Sequence, residues 1–301
     1  MMSIEDRIRT LRDEKGALIL AHNYQITPIQ ELADFSGDSL QLSIKARDSH
    51  AKLIVFCGVR FMAETAAILN PGAKVLLPAE DAGCPMADMI TAEQLRIFKA
   101  EYPDAKVVCY VNSSAEVKAE SDVCCTSSNA VKILQSFPKD QTILFVPDQN
   151  LGSWAAKQAG RKVIVWEGYC PIHQWGFVRR NYDRIIKLHP DYQLIAHPEC
   201  DEDIIEIADK VMSTGGMHNY VKDHDNLIIA TDASFAEYLQ HLYPEKQLIS
   251  LNSRAKCRNM RKITLQKLLE SLENEQYVVT VPPETAARAL KALERMLELS
   301  A

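Results

Sequence analysis

Three cysteines stand at matched places in the chain: Cys84, Cys170 and Cys257 lie 86 and 87 residues apart. Three sulfurs brought to one point would suit a [4Fe–4S] cluster with one iron left open, or a three-thiolate zinc. An open iron is a Lewis acid that can bind a carboxylate or hydroxyl and help it leave as water. That points to dehydration or condensation rather than electron transfer. Proline follows Cys84 and Cys170, whereas Arg258 follows the third. The other five cysteines, Cys57, Cys109, Cys124, Cys125 and Cys200, have no partners at the repeat spacing and read as buried packing residues. No CxxC pair occurs, which weakens a zinc-ribbon or thioredoxin-like reading.

A second set of polar residues follows the same period. His22-Asn23-Tyr24 follows the apolar run Ala17–Ala21, Tyr110-Val111-Asn112 follows Ala105–Cys109, and His197-Pro198-Glu199 follows Tyr192–Ala196, with spacings of 88 and 87. Asp34, Asp122 and Asp209 keep those spacings, and so do Ser39, Ser127 and Thr214 just downstream, each opening a helix-like stretch. A helix N-terminus carrying a hydroxyl suits an anion. Three around one site predict a substrate with several carboxylate or phosphate groups. Any one Ser or Thr there is ordinarily only an N-cap. The matched positions, with divergent chemistry at each, are what one asymmetric site requires.

These residues need a scaffold that repeats. Each copy offers further Val/Ile/Leu-rich runs without clean alternation: Leu53–Phe56 and Lys74–Leu77, Ile143–Val146 and Lys162–Trp166, Leu227–Ala230 and Gln247–Leu251. Such runs fit buried parallel strands. The fold class expected is α/β, in three pseudo-threefold-related three-layer α/β/α units, each with a small three-stranded parallel sheet, around a central active site. The units are 1–86, 87–172 and 173–258, with 259–301 as a closing segment. Ser3 caps a first helix to Lys15, and Tyr277–Val281 reads as one more strand. The tail helix from Pro283 carries Ala287, Leu290, Leu293 and Leu297 on one face and is expected to close on the first unit.

Composition narrows the class. Of 301 residues, 40 are acidic and 34 basic, a net charge of −6 that argues against a nucleic-acid scaffold. No apolar run reaches the ~20 residues of a membrane span, and the N-terminus lacks a leader's apolar core, so a cytoplasmic protein with reduced thiols is expected. Three rivals stay open: an iron–sulfur hydro-lyase on another hydroxy acid, a cluster-based sensor or ligand-binding module, and zinc in the three-thiol site.

The run Ala21-His22-Asn23-Tyr24-Gln25 resembles the opening motif of quinolinate synthases. So do Gly37-Asp38-Ser39, Phe61-Met62-Ala63-Glu64-Thr65, Tyr110-Val111-Asn112-Ser113, His197-Pro198-Glu199-Cys200 and Ser213-Thr214-Gly215-Gly216-Met217, in order along nearly the whole chain. The resemblance implies condensation of iminoaspartate (iminosuccinate) with dihydroxyacetone phosphate to quinolinate, releasing phosphate and water, in NAD biosynthesis. It implies an oxygen-sensitive [4Fe–4S] cluster on Cys84, Cys170 and Cys257, with one iron open to substrate. His22, Ser39, Ser127 and Thr214 would anchor carboxylate or phosphate; Tyr110 and Asn112 would orient substrate. Tyr24, His197 and Glu199 would be the acid–base group, and His197 and Glu199 would also touch substrate. Glu199 is expected to carry a raised pKa, as a general base near neutrality needs. The partners implied are these two small molecules, with supply from an aspartate-oxidising enzyme. No nucleic acid or membrane is implied, and a monomer is favoured.

Overall fold

The computed structural model describes residues 2–300. Its strands form three four-stranded parallel sheets of the same order. The first holds β1 (Ala17–His22), β2 (Phe35–Gly37), β3 (Leu53–Cys57) and β4 (Lys74–Leu76), ordered β2-β1-β3-β4. The second holds β5 (Lys106–Tyr110), β6 (Val123–Cys125), β7 (Ile143–Val146) and β8 (Ile164–Val165), ordered β6-β5-β7-β8. The third holds β9 (Gln193–Ala196), β10 (Lys210–Val211), β11 (Asn226–Ala230) and β12 (Gln247–Ser250), ordered β10-β9-β11-β12. Helices flank each sheet. The α/β reading in three repeated units is therefore correct, and the three strands anticipated in each unit are present.

Each sheet has one strand more than expected. The extra edge strands β2, β6 and β10 are two or three residues long, too short to leave a run in the sequence. The aspartates at the repeat spacing tie them on. Asp34 bonds Ile19 twice: its Oδ2 accepts the Ile19 N–H at 2.8 Å, and its own N–H donates to the Ile19 carbonyl at 2.9 Å. Asp122 does the same to Val107 and Asp209 to Leu194. One side chain thus supplies an acceptor beside the start of each unit's first strand, where the ladder with the short edge strand has ended.

The central strands are buried on both faces, as parallel sheets covered by helices must be. One continuous apolar core runs through the first two units and includes residues of helices Leu265–Asn274 and Pro283–Ser300. The third unit keeps two smaller clusters, one on each side of its sheet.

The tail departs from expectation. Helix Pro283–Ser300 rests mainly on helix Ala115–Ala119 and β6 of the second unit, touching the first unit through helix Arg60–Leu69. Its buried face is Ala289, Ala292, Leu293, Met296 and Leu297, while Ala287 is exposed. Periodicity finds a stripe but not its partner, and the short edge strand β6 is what this helix covers. Residues Tyr277–Val281 form no strand; only Val278 makes an isolated antiparallel bridge, to Leu76.

Candidate active site

A cavity at the carboxyl ends of the three sheets collects the singled-out residues. His22, Tyr24, Ser39, Tyr110, Asn112, Ser127, His197, Glu199 and Thr214 line it, together with Cys84, Cys170 and Cys257. The topology explains this: residues directly following β1, β5 and β9 leave their sheets on one side, where parallel α/β sheets present ligand sites.

The first and third units build the same imidazole support. His22 Nδ1 accepts the Tyr24 N–H at 3.2 Å, and His197 Nδ1 accepts the Glu199 N–H at 3.3 Å. That places the ring proton of each neutral imidazole on Nε2; the Nε2 of His197 lies 3.2 Å from Ser127 Oγ. Burial pushes both histidines down, His22 to about 4 and His197 to about 3, so they are neutral donors at pH 7. Burial and then the Glu199 charge raise the Tyr24 and Tyr110 phenols well above the usual value, so both keep their protons.

Glu199 is the hub. Its Oε1 accepts from Tyr110 Oη at 2.5 Å, with Asn112 Nδ2 at 3.4 Å, and its Oε2 lies 2.7 Å from His173 Nδ1. Burial alone would raise this carboxyl, but the facing imidazoles of His173 and His197 and the Tyr110 hydroxyl outweigh it. They hold it low, at about 2. The expected raised pKa is therefore overturned: the donors around Glu199 stabilise its ionised form.

His173 was not foreseen. It is buried in helix Pro171–Gly176 and stacks on His197 with centroids 4.8 Å apart. Its Nε2 lies 3.0 Å from Thr231 Oγ1, which lies 2.6 Å from Tyr24 Oη. The result is one polar chain from Tyr24 through Thr231, His173 and Glu199 to Tyr110. A signal for His173 existed. It stands three residues after Cys170, where Ala87 and Met260 stand after Cys84 and Cys257. Thr231 follows β11 and could have been found as another strand-tip residue.

The hydroxyl residues are seated one place differently from expectation. Asp38 and Ser213, not Ser39 and Thr214, cap helices Ser39–Asp48 and Thr214–Lys222. Ser127 precedes the short helix Ala130–Gln135, whose cap is Asn129. Freed from capping, the three hydroxyl residues border the cavity. Asn23 and Gln25 of the opening motif serve the frame: Asn23 Nδ2 donates to Thr214 Oγ1 at 2.9 Å, and Gln25 Nε2 to the Met260 carbonyl at 3.2 Å.

Each of the three cysteines precedes a helical turn: Ala87–Met89 after Cys84, Pro171–Gly176 after Cys170, Met260–Lys262 after Cys257. Backbone N–H groups two or three residues on favour the charged form of each sulfur: Ala87 and Met86 at Cys84, His173 at Cys170, Met260 and Asn259 at Cys257. Such donors suit thiolate ligands. Burial first, and then nearby charges (Cys257 and Glu199 at Cys84, Glu199 and Cys84 at Cys170, Asp232 and Glu199 at Cys257), raises all three, Cys84 to about 12. A bound metal would reverse that by holding the sulfurs as thiolates. The five other cysteines are fully buried in the cores. Two buried aspartates complete the surround. Asp232 Oδ2 accepts the Cys257 N–H at 2.5 Å, and Asp148 Oδ1 accepts the Leu151 N–H at 2.7 Å. Cys170 Sγ, a His173 ring nitrogen and a Glu199 oxygen also lie within 4.8 Å of one another, so a metal there would have further donors in reach.

Among the described residues, the cavity lining holds no Lys or Arg. An anion there would be held by neutral N–H and O–H donors and by helix starts. A repeated α/β fold that gives one cysteine per unit to a cavity of neutral donors and a buried carboxylate defines a class: three-unit α/β proteins with a shared three-thiol centre.

Within that class the chain belongs to the quinolinate synthetase A family, whose family model matches residues 6–298. It is 50% identical over 302 residues to the quinolinate synthase of Dehalococcoides mccartyi, covering 99% of this chain and 98% of the relative. It is 48% identical to that of Alkaliphilus metalliredigens, over 98% and 97% of the two chains. It is 45% identical to quinolinate synthase 2 of Methanosarcina acetivorans, over 99% and 96%. No helix among the described residues is long and apolar enough to cross a membrane.

Proposed function

We propose that the protein condenses iminoaspartate with dihydroxyacetone phosphate to quinolinate, releasing phosphate and water, as a step of NAD biosynthesis. The observation that carries this reading is the meeting of Cys84, Cys170 and Cys257, one from each unit, with three different sets of strand-tip polar groups at one cavity. Family membership and relatives named quinolinate synthase support it.

The three sulfurs would hold a [4Fe–4S] cluster. Their matched turns and N–H donors suit three equivalent thiolates. When bound, such a cluster supplies an iron free of protein ligands, a Lewis acid for carboxylate or hydroxyl oxygen.

The remaining work falls to the chain's own groups. His22, Ser39, Ser127 and Thr214 bind the anionic ends of the substrates through neutral donors. Tyr110 and Asn112 orient them. Protons needed at the reacting carbons and leaving oxygens move along Tyr24, Thr231, His173 and Glu199, whose contacts run from 2.6 to 3.0 Å. Glu199, already ionised, acts less as a strong base than as the charge that orients the His173 ring and draws in the Tyr110 hydroxyl. His197 donates from Nε2. Burial in the cavity keeps competing water away from an imine. The reading keeps the expected supply from an aspartate-oxidising enzyme and a cytoplasmic setting.

The test is anaerobic incubation of iron-loaded protein with both substrates, with quinolinate followed by chromatography. Quinolinate formation supports the reading. None from a protein with full iron and sulfide load refutes it, and dehydration of another hydroxy acid would favour a hydro-lyase.

A further inference from the structure

Asp38 does more than cap its helix. An N-cap needs one oxygen, and Oδ1 provides it, accepting the Gln41 N–H at 3.0 Å, with Gln41 Oε1 returning a bond to the Asp38 N–H. The second oxygen is spent across the molecule. Oδ2 accepts from Ser128 Oγ of the second unit at 2.6 Å and from Ser213 Oγ of the third at 3.2 Å; the two hydroxyls lie 2.8 Å apart. Ser213 itself caps helix Thr214–Lys222. One buried carboxylate of the first unit thus ties down the start of the matched segment in each of the other two.

The fit is close. A Cβ at Gly215 would lie 2.5 Å from Asp38 Oδ2. The position matching Asp38 and Ser213 in the second unit is Thr126, but its hydroxyl is used in its own loop, beside Asn129 Oδ1 at 3.2 Å. Ser128, two residues on, reaches Asp38 instead. Each tied residue is a sequence neighbour of one hydroxyl residue of the cavity: Asp38 of Ser39, Ser128 of Ser127, Ser213 of Thr214.

We infer that Asp38, through Ser128 and Ser213, is a positioning residue that sets Ser39, Ser127 and Thr214 as one three-hydroxyl seat for an anionic group of the substrate. The inference rests on the proposed function for the identity of the anion, a phosphate or a carboxylate. A carboxylate is suited to the task because it accepts from both serines at once without asking either to accept in return.

The test compares Ser128→Ala, Gly215→Ala and Asp38→Asn with the wild-type holoenzyme. Ser128 is an exposed residue, so its truncation breaks the tie without emptying a core. In Ser128→Ala and Gly215→Ala the KM for one substrate rises about ten-fold, which corresponds to the loss of one well-placed hydrogen bond, while kcat stays within about three-fold. Asp38→Asn keeps the cap through its carbonyl but turns an amide that cannot accept toward both serines, so its KM rises with the other two. Calorimetric titration with inorganic phosphate and with quinolinate reads the same seat without turnover, and the ligand that weakens names the anion. Unchanged KM and unchanged binding of both probes in Ser128→Ala and Gly215→Ala overturn the inference, as does a fall in kcat alone. If the wild type makes no quinolinate yet binds a probe that Ser128→Ala weakens, the functional reading fails and the role of Asp38 stands. A wild type that binds neither probe sinks the role of Asp38.

Discussion

Glu199 is the residue whose chemistry most depends on its neighbours. A carboxylate this deeply buried would ordinarily stay protonated, and its direct contacts with the His173 ring and the Tyr110 hydroxyl favour the charged form. Removing its charge should therefore break the relay but leave the cysteines alone. Glu199→Gln is expected to keep its iron and sulfide while losing turnover about 100-fold or more, as removal of a positioned acid–base group does. His173→Gln should behave alike, because it links Glu199 to Thr231. Near-normal rates in either variant, measured at wild-type iron content, would take that residue out of the proton path.

At the scale of elements, the repeat recurs in backbone bonds made by matched aspartates. Asp34, Asp122 and Asp209 each bond the N–H and carbonyl of a first-strand residue, close to where a very short edge strand pairs with it. Val107, the partner of Asp122, is fully buried. Asp122→Ala leaves that N–H without its acceptor, and the expected cost is about 1–3 kcal/mol in denaturant unfolding. An unchanged midpoint would show that another acceptor takes over. The strands β1, β3, β5, β7, β9 and β11 were legible because covered parallel strands are apolar throughout. The edge strands β2, β6 and β10 were not, because their two or three residues sit outside the apolar runs that mark the others. The stripe of the tail helix was visible but its seat on the second unit was not, since any exposed apolar face would have satisfied it.

For the whole molecule, the arrangement makes a sharp distinction among eight chemically identical side chains. Cys84, Cys170 and Cys257 border the cavity, whereas Cys57, Cys109, Cys124, Cys125 and Cys200 are fully buried away from it. Cys84→Ala is expected to lose the cluster, seen as loss of visible absorbance and of bound iron and sulfide under anaerobic conditions. Cys124→Ala should keep both. Full iron in the first variant, or none in a folded second variant, would contradict the ligand set.

The period of 86 to 88 residues is written in the chain, and with it the three units, their main strands and the residues that meet at one cavity. A repeat carries that much because equivalent positions in like folds point the same way. The chain order could not reveal His173 beside Glu199, the low pKa that results, or Asp38 beneath two serines of other units. Those depend on how three sheets close on one another, and closure is set by contacts between residues on different units, far apart along the chain. Local pattern fixes which side of a sheet a residue leaves from; only the packed molecule fixes which charge it finds there.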